Sequence, residues 1–317
     1  MSLAKASFSL IAPGGRRGCL SILIFHRVLA APDPMLPEEP DAREFSERMA
    51  FVAGAFNVLP LAEAVERLVK RDLPAAAAAI TFDDGYADNY RVALPILRHY
   101  RLPATIFVAS GFLNGGRMWN DTVIEAVRRA PGDVLDLGQL GLGMHPLRSS
   151  DERRRAVALV LERLKYRPAP ERQSEVDRVA AMAAPSLPDD LMLSSAELRA
   201  LASGGVEIGA HTVTHPILSR LDPEGARKEI VGGGKALEAI LGKKIDLFAY
   251  PNGVPGRDFG PEHVQMVRDA GYAAAVTTGP GVSRAGTDVY QLPRFTPWDR
   301  SNMKFGARLA QNTLGLL

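Results

Sequence analysis

Short runs of apolar residues alternate along the chain with longer segments in which apolar residues recur every three to four positions. The runs are rich in β-branched side chains and end at Gly, Pro or Asp, which predicts strands buried on both faces. The predicted strands are Leu20–Val28, Ala79–Asp83, Ala104–Ala109, Val206–Gly209, Asp246–Tyr250 and Ala273–Thr277.

The longer segments predict amphipathic helices. These are Ala42–Ala53, Leu61–Lys70, Asn89–His99, Glu224–Leu241 and Pro261–Ala270. Strands that alternate with helices favour an α/β fold with a parallel sheet, either open or closed into a barrel.

Residues 115–188 break this alternation. No strand is predicted there, but two charged helical patterns occur, Asp151–Tyr166 and Glu171–Ala183, between several prolines. We interpret the region as a helical insertion that covers one side of an active-site mouth; an excursion without functional contact is the alternative. The remaining sequence predicts an N-terminal extension, residues 1–18, and one domain over residues 19–317.

Composition narrows the class of protein. The 317 residues are 46% hydrophobic and 23% charged, which excludes general disorder, collagen and coiled coil. The net charge is +2 and no basic run contains interleaved aromatic residues, so we expect no nucleic-acid partner. The one cysteine, Cys19, cannot form an internal disulfide, as is common in reducing compartments.

The sequence contains no apolar stretch of the ~18 residues that a membrane span needs. The first residues also lack the order of charged and apolar segments found in secretory signals. We therefore expect a cytoplasmic protein without a transmembrane segment. If it is peripheral to the inner membrane, Arg16 and Arg17 are the residues expected to touch the surface.

The sequence TFDDGY, residues 81–86, places two carboxylates at the end of a predicted strand. Neighbouring carboxylates repel each other, and burying one is costly unless it is paired, protonated or bound to a cation. A turn at Gly85 can bring Asp83 and Asp84 into the same mouth. The alternative is a simple turn, because Asp-Asp-Gly is a common turn sequence.

The sequence HTVTHP, residues 211–216, follows another predicted strand. The spacing of His211 and His215 suits one metal ion, and the β-branched residues between them and Pro216 favour a loop. The alternative is a structural role for both histidines. One carboxylate with two imidazoles leaves open positions on a metal, and the second carboxylate is then free to act as a general base.

Together, the TFDDG and HTxxH motifs resemble the polysaccharide deacetylase family, also called NodB homology or carbohydrate esterase family 4. The resemblance extends over about residues 20–297, with the insertion outside the core. It implies a distorted (β/α) barrel of about seven strands and a hydrolase that removes acetyl groups from N-acetylated sugars. It also implies one divalent ion, Zn²⁺ first and Co²⁺ or Ni²⁺ as alternatives, on Asp84, His211 and His215, with Asp83 as the base.

The third family motif, Arg-x-Pro-Tyr-Gly, is matched only in part by FAYPNG, residues 248–253. Ala249 stands in place of the arginine and Asn252 in place of the tyrosine. We expect Tyr250 and Asn252 to bind substrate, with a backbone N–H near Asn252 for the oxyanion. Arg294 is the candidate for the missing arginine that orients the base, and a surface salt bridge is the alternative.

No histidine follows His263, so the family's C-terminal acid is missing. His26 closes the first predicted strand and is our candidate acid. This arrangement resembles the branch that includes exopolysaccharide poly-N-acetylglucosamine deacetylases; a buried structural histidine is the alternative. The tryptophans, Trp119 and Trp298, are expected to line the cleft, because sugars stack on aromatic faces. The alternative is a position in the core or at the rim.

These expectations converge on a metal-dependent deacetylase of an amino-sugar glycan or glycan precursor. One alternative is a hydrolase of the same fold that acts on a non-sugar C–N bond, as allantoinase-like members do. Another is a carbohydrate-binding barrel without activity. The oligomeric state is not determined by the sequence.

Overall fold

The computed structural model describes residues 3–183, 186–297, 299 and 301–316. The strands are β1 (Cys19–Phe25), β2 (Asn57–Val58), β3 (Ala77–Phe82), β4 (Thr105–Val108), β5 (Val134–Leu137), β6 (Gly143–Pro146), β7 (Glu207–Ala210), β8 (Leu247–Ala249), β9 (Ala274–Val276) and β10 (Ser283–Arg284). The helices are α1 (Leu3–Ile11), α2 (Ala42–Ala55), α3 (Leu61–Lys70), α4 (Leu94–Tyr100), α5 (Trp119–Arg129), α6 (Ser150–Leu164), α7 (Ala169–Ala183), α8 (Ser195–Ser203), α9 (Pro223–Leu241), α10 (Pro261–Asp269) and α11 (Asn302–Leu314).

The main sheet has the strand order β10-β1-β3-β4-β7-β8-β9, and β2 pairs with β3 beside this path. β10 runs antiparallel to β1, whereas the other pairings in this sheet are parallel. Parallel neighbours require a crossover between strands, which the helices provide. The predicted strands and helices are therefore confirmed, apart from shifts at their ends and a π-helical turn, Asn89–Ala93, before α4.

Residues 292–295, which we call the closing segment, connect β9 at one edge of the parallel part of the sheet to β1 at the other. Leu292 exchanges backbone hydrogen bonds with Ala275 and Thr277 at β9, and Phe295 exchanges them with Ile22 and Ile24 of β1. The sheet thus curls into a distorted barrel, as expected. The closing segment carries Arg294 into the barrel between β9 and β1.

Alternate residues of the strands face two different apolar clusters, because successive side chains on a strand point to opposite faces. Leu20 and Ile22 belong to a cluster that gathers β1, β3, β8, β9 and α3. Leu23 and Phe25 belong to the cluster between the other face of the sheet and helices such as α2, α4 and α9. This alternation determines which side chains at the strand ends reach the barrel mouth.

Helix α9 illustrates how local sequence signals set the element boundaries. Asp222 precedes it and accepts a hydrogen bond from the N–H of Gly225, at 2.7 Å, and Pro223 occupies the first helical position. Gly242 ends it in the left-handed conformation, with φ +67°. These are a side-chain N-cap, a proline at N1 and a glycine just beyond the C-terminus. Together they fix where this helix begins and ends, and the predicted bounds differ from the observed ones by only one residue.

Residues 115–188 contain strands, contrary to the prediction. β5 and β6 form an antiparallel hairpin, and α5 lies in the region as well. The hairpin strands are short and largely exposed, with buried Leu135 and Leu137 alternating with exposed Val134 and Asp136, so their apolar signal is weak. Together with α5, α6 and α7 they enclose an apolar cluster separate from those of the barrel.

The predicted N-terminal extension packs against the domain over its described residues. Phe8 of α1 is buried against Phe51 and Phe56 of the α2 region. In the part of the chain that the structure describes, no helix is both long and apolar enough to span a membrane.

Candidate active site

The side chains singled out by the sequence follow the carboxyl ends of the barrel strands, where active sites of α/β barrels lie. They surround a cavity of roughly 480 Å³. Its lining includes His26 after β1, Asp83 and Asp84 after β3, His211 and His215 after β7, and Asn252 after β8.

Asp83 is bound on both carboxylate oxygens by Arg294. The Nη1 and Nη2 atoms of Arg294 donate to Oδ1 and Oδ2 of Asp83 at 2.7 and 2.6 Å, and its Nε donates to the backbone carbonyl of Thr277 at 2.8 Å. Arg294 is 1% exposed, so this is no surface salt bridge. The planar guanidinium fixes the carboxylate in one orientation.

Asp84 is turned into the same mouth by its own backbone. Its φ of +76° lies in the left-handed region, and Gly85 follows with φ +86°. A Cβ atom on Gly85 would lie 3.0 Å from a side-chain methyl of Val108, so both the backbone conformation and the close approach favour glycine here. Left-handed backbone at a non-glycine residue costs on the order of 1 kcal/mol or more, and such strain concentrates at functional sites.

Asp84, His211 and His215 form the group that fits a metal ion. Oδ1 of Asp84 lies 3.4 Å from Nε2 of each histidine, and one ligand atom from each residue lies within 4.8 Å of the others. Oδ1 is buried and has no hydrogen-bond partner among the described residues, which is costly unless a cation binds it.

The orientation of His211 supports this fit. Its Nδ1 lies 2.7 Å from the carbonyl oxygen of Ala249, so Nδ1 carries the proton and donates it to that carbonyl. The lone pair of Nε2 is then directed at Asp84. A backbone acceptor on the far ring nitrogen is the usual way in which proteins orient a metal-ligating histidine.

The electrostatics of the group favour a positive charge at its centre. Burial would raise the pKa of Asp84, but His215 and His211 hold it well below the usual value, so the carboxylate is ionised. Burial would lower the pKa of His211, yet the Asp83 and Asp84 carboxylates raise it. Burial lowers the pKa of His215 to about 4, which leaves its imidazole neutral and able to coordinate a metal.

The two histidines lie on a tightly held loop, as the sequence indicated. Thr212 and His215 have φ of +65° and +54°, so neither is helical. The Glu229 carboxylate accepts hydrogen bonds from the backbone N–H groups of residues 213 and 214, each at 2.8 Å. Gly233 of α9 permits close approach, since a Cβ there would lie 2.6 Å from the carbonyl oxygen of Thr212.

His26 lies at the rim of the same cavity and is half-buried. The turn after β3 fixes the backbone around it: Asn89 donates to the carbonyl of His26 at 2.9 Å, and Asp88 pairs with Arg27 at 2.8 Å. The imidazole therefore stays accessible from the cavity.

Asn252 and Tyr250 have different positions, although both were expected to bind substrate. Asn252 lines the cavity with φ +59°, and its backbone N–H has no acceptor among the described residues. The Tyr250 side chain instead stacks on Phe259, with ring centroids 3.8 Å apart, and donates from its hydroxyl to the carbonyl of Tyr290. That expectation is wrong for Tyr250, because the alternation along β8 turns this side chain into the outer core with Phe248.

Residues of the 115–188 region form one wall of the cavity. Trp119 lines it, together with residues of α6 and α7. Trp298, the other tryptophan expected in the cleft, lies outside the described residues.

Sequence reasoning missed several cavity residues. Those with polar or charged side chains include Glu39, Lys165, Arg172 and Thr278. Glu39 lies in a proline-rich loop, and Lys165 and Arg172 belong to charged helical patterns that are typical of a solvent-exposed surface. No local signal separates such residues from ordinary surface residues, so only their position in space reveals them.

Comparisons with known proteins agree with this geometry. The family model described as polysaccharide deacetylase matches residues 70–135 and 172–275, more than half of the chain. YxkH of Bacillus subtilis strain 168, provisionally named a polysaccharide deacetylase, is 21% identical over 277 residues, which cover 87% of this chain and 70% of that protein.

Solved structures share the fold. The Streptococcus pyogenes deacetylase PplD in complex with acetate superposes with a TM-score of 0.60 at 19% identity, over 93% of this chain and 98% of that one. IcaB from Ammonifex degensii does so with a TM-score of 0.59 at 20% identity, over 95% of this chain and 98% of that one. With the family model matched over both motifs, this chain belongs to the polysaccharide deacetylase family.

Proposed function

We propose that this chain is a zinc-dependent deacetylase that hydrolyses the N-acetyl group of an amino-sugar glycan or its precursor. The observation that carries the proposal is the orphaned Oδ1 atom of Asp84, which faces two imidazoles beside a second carboxylate bound by Arg294. Buried polar oxygens are as a rule hydrogen-bonded, so an unpartnered carboxylate oxygen between two imidazoles favours a metal site over a simple turn or a pair of structural histidines.

Asp84, His211 and His215 would hold the divalent ion. Two imidazoles and one carboxylate are donors that Zn²⁺ takes in catalytic sites, and Co²⁺ and Ni²⁺ accept similar sets. When bound, the ion supplies a Lewis acid that polarises an amide carbonyl and acidifies water.

Asp83 is the proposed general base. Burial would raise its pKa, but Arg294 and His211 lower it, so the carboxylate is ionised and ready to accept a proton. Arg294 engages both oxygens and thereby fixes the direction from which Asp83 accepts it. We assign Arg294 to positioning the base.

The remaining roles follow from the cavity lining. The free backbone N–H of Asn252 is the proposed donor to the oxyanion that develops from the acetyl carbonyl. His26, which lines the same cavity from the end of β1, is the proposed acid that protonates the leaving amine. Neither role requires the arginine and tyrosine that the third motif lacks.

The names of the structural neighbours bear on the substrate class. One is a deacetylase in complex with acetate and another, from Aggregatibacter actinomycetemcomitans, is a de-N-acetylase. The aromatic ring of Trp119 in the cavity wall also favours a sugar over a small non-sugar amide, because sugar rings pack on aromatic faces.

The first experiment measures metal content and acetate release in the same samples. Wild-type protein reloaded with zinc is compared with the His211→Ala/His215→Ala variant, and with His99→Ala as a surface control. We expect about one ion per chain and acetate release from N-acetylglucosamine oligomers in the wild type and the control, and neither in the double variant.

Two outcomes would redirect the assignment. A loaded wild type that spares N-acetylated sugars but opens a cyclic ureide would favour the non-sugar hydrolase. Wild type that takes up none of zinc, cobalt or nickel would favour the carbohydrate-binding barrel.

A further inference from the structure

The insertion places two basic side chains in the cavity wall, away from the catalytic group. Lys165 follows α6 and Arg172 lies in the first turns of α7, and both line the cavity with Trp119. Both are half-buried. None of the proposed catalytic steps uses either one.

Arg172 is held in place by contacts that leave its charge unbalanced. Its guanidinium carbon lies 4.8 Å over the ring of Trp119, and its Nη1 donates to the backbone carbonyl of Lys165 at 3.3 Å. Among the described residues, no carboxylate lies within ion-pair distance of Arg172 or of the Lys165 ammonium. Burial lowers the pKa of Arg172 without an opposing charge, and the guanidinium nevertheless stays protonated at neutral pH.

Two other half-buried arginines differ in this respect. Arg27 pairs with Asp88 at 2.8 Å, and Arg128 pairs with Asp33 at 2.7 Å. Glu162 also lines the insertion wall, but it is exposed and forms no ion pair with Lys165 or Arg172. A half-buried arginine fixed over an aromatic ring, with donor N–H groups free, is arranged to bind an oxyanion from outside the chain.

We propose that the substrate carries an anionic group, a carboxylate or a phosphate, that Arg172 and Lys165 bind while the acetamido group is hydrolysed. The inference rests on the proposed deacetylase function and names its substrate class. Trp119 would pack against the sugar that bears or adjoins this group. The insertion wall carries two basic groups and one exposed carboxylate, Glu162, whereas Asp84 and Glu39 add only negative charge elsewhere in the lining. The wall is therefore the place where an anion is favoured.

The test compares three acetylated substrates at equal concentration. They are a neutral N-acetylglucosamine tetramer, an alternating tetramer of N-acetylglucosamine and glucuronate, and N-acetylglucosamine 1-phosphate. We expect kcat/KM to favour one of the anionic substrates over the neutral tetramer by about tenfold or more, as for a charge-assisted hydrogen bond. Which of the two is favoured distinguishes a carboxylate from a phosphate.

Variants test whether the insertion wall causes the preference for anionic substrates. Arg172→Gln should lower the ratio of anionic to neutral kcat/KM, and Arg172→Lys should keep part of it. The double variant Arg172→Gln/Lys165→Gln should bring the ratio to about one. Arg178→Gln is the matched control, because this exposed arginine lies on the same helix and does not line the cavity. High salt should weaken the preference of the wild type.

Failure of this inference is distinguishable from failure of the proposed function. Equal kcat/KM for neutral and anionic substrates, or a preference that survives unchanged in the double variant Arg172→Gln/Lys165→Gln, overturns the anion site while acetate release upholds the deacetylase. Calorimetric binding of the same three compounds to the full-length Asp83→Asn variant tests the anion site without turnover. Equal affinities there would overturn it as well.

Discussion

The barrel mouth and the insertion wall face the same cavity but differ in whether their charged side chains have ion-pair partners. In the mouth, Asp83 is matched by Arg294 on both oxygens, and both side chains are buried. On the wall, Arg172 is half-exposed and has no acidic partner among the described residues. The proposed chemistry thus lies on rigid strand ends, whereas the proposed selectivity lies on a separate unit.

The two regions also differ in how they are stabilised. The mouth is built on strands that share the two apolar clusters of the barrel, and it tolerates left-handed backbone at Asp84, Thr212, His215 and Asn252. The insertion has its own apolar cluster. Damage to the insertion should therefore leave the metal group intact, and damage to the mouth should leave the insertion folded.

The largest expected effect is on catalysis at the mouth. Asp83→Asn should reduce kcat/KM for acetate release by about 10²–10⁴-fold, because the amide cannot accept the proton, while the metal content stays at the wild-type level. Elemental analysis and an acetate assay measure both quantities, with exposed Asp72→Asn as the control. Full activity in the Asp83 variant would contradict the assignment of the base.

Removing the partner of Asp83 should act mainly on stability. Arg294→Met leaves a buried carboxylate without its counter-ion, so the free energy of unfolding should fall by about 3–5 kcal/mol. Arg91→Met, which removes exposed pairs with Asp190 and Glu197, should cost about 1 kcal/mol or less. Urea titration of both variants measures the difference, and equal losses would show that the Arg294 pair contributes no more than a surface one.

A core substitution in the insertion tests its independence. Leu164→Ala removes a fully buried side chain from the insertion cluster and should cost about 2–5 kcal/mol within that unit. We expect faster proteolysis in residues 119–183, a raised KM and an unchanged metal content. Loss of the metal in this variant would mean that the two regions are one cooperative unit.

The smallest expected effect is the loss of stability on breaking an ion pair between the insertion and the loop after β1. Arg128 of α5 donates two hydrogen bonds to Asp33 in the loop after β1, at 2.9 and 2.7 Å. Burial would raise the pKa of Asp33, but the Arg128 hydrogen bonds lower it. The pair should therefore stabilise the protein above the unfolded pKa of about 3.9 and cease to do so as pH falls through the lowered folded value.

Arg128→Gln measures this contribution. Its free energy of unfolding should lie below that of the wild type by about 1 kcal/mol or less at pH 7, since both side chains are partly exposed. The difference should shrink toward zero when the titration is repeated at a pH below the Asp33 pKa. A difference that grows with acid would mean that Asp33 does not carry the effect.

The sequence by itself determined the parts of this protein whose signals are local. The motifs at residues 81–86 and 211–216 place each candidate ligand within a few positions of a buried strand, and adjacent strand ends meet at one edge of a parallel sheet. For the same reason the apolar periodicity predicted six strands of the main sheet and helices α2, α3, α4, α6, α7, α9 and α10. It did not predict the short strands β2 and β10 or helices α1, α5, α8 and α11. The hairpin of β5 and β6 was missed because its strands are short and half-exposed.

Tertiary structure decided what depends on contacts between distant segments. Arg294 reaches Asp83 across 211 positions because the closing segment pairs with both β9 and β1, and only that pairing distinguishes it from a surface arginine. Tyr250 and Asn252 are close in sequence, yet strand alternation sends one into the core and leaves the other in the cavity. Arg172 looks like part of a solvent-exposed helical surface until folding sets it over Trp119, because charge patterns along a helix do not specify which face meets a neighbour.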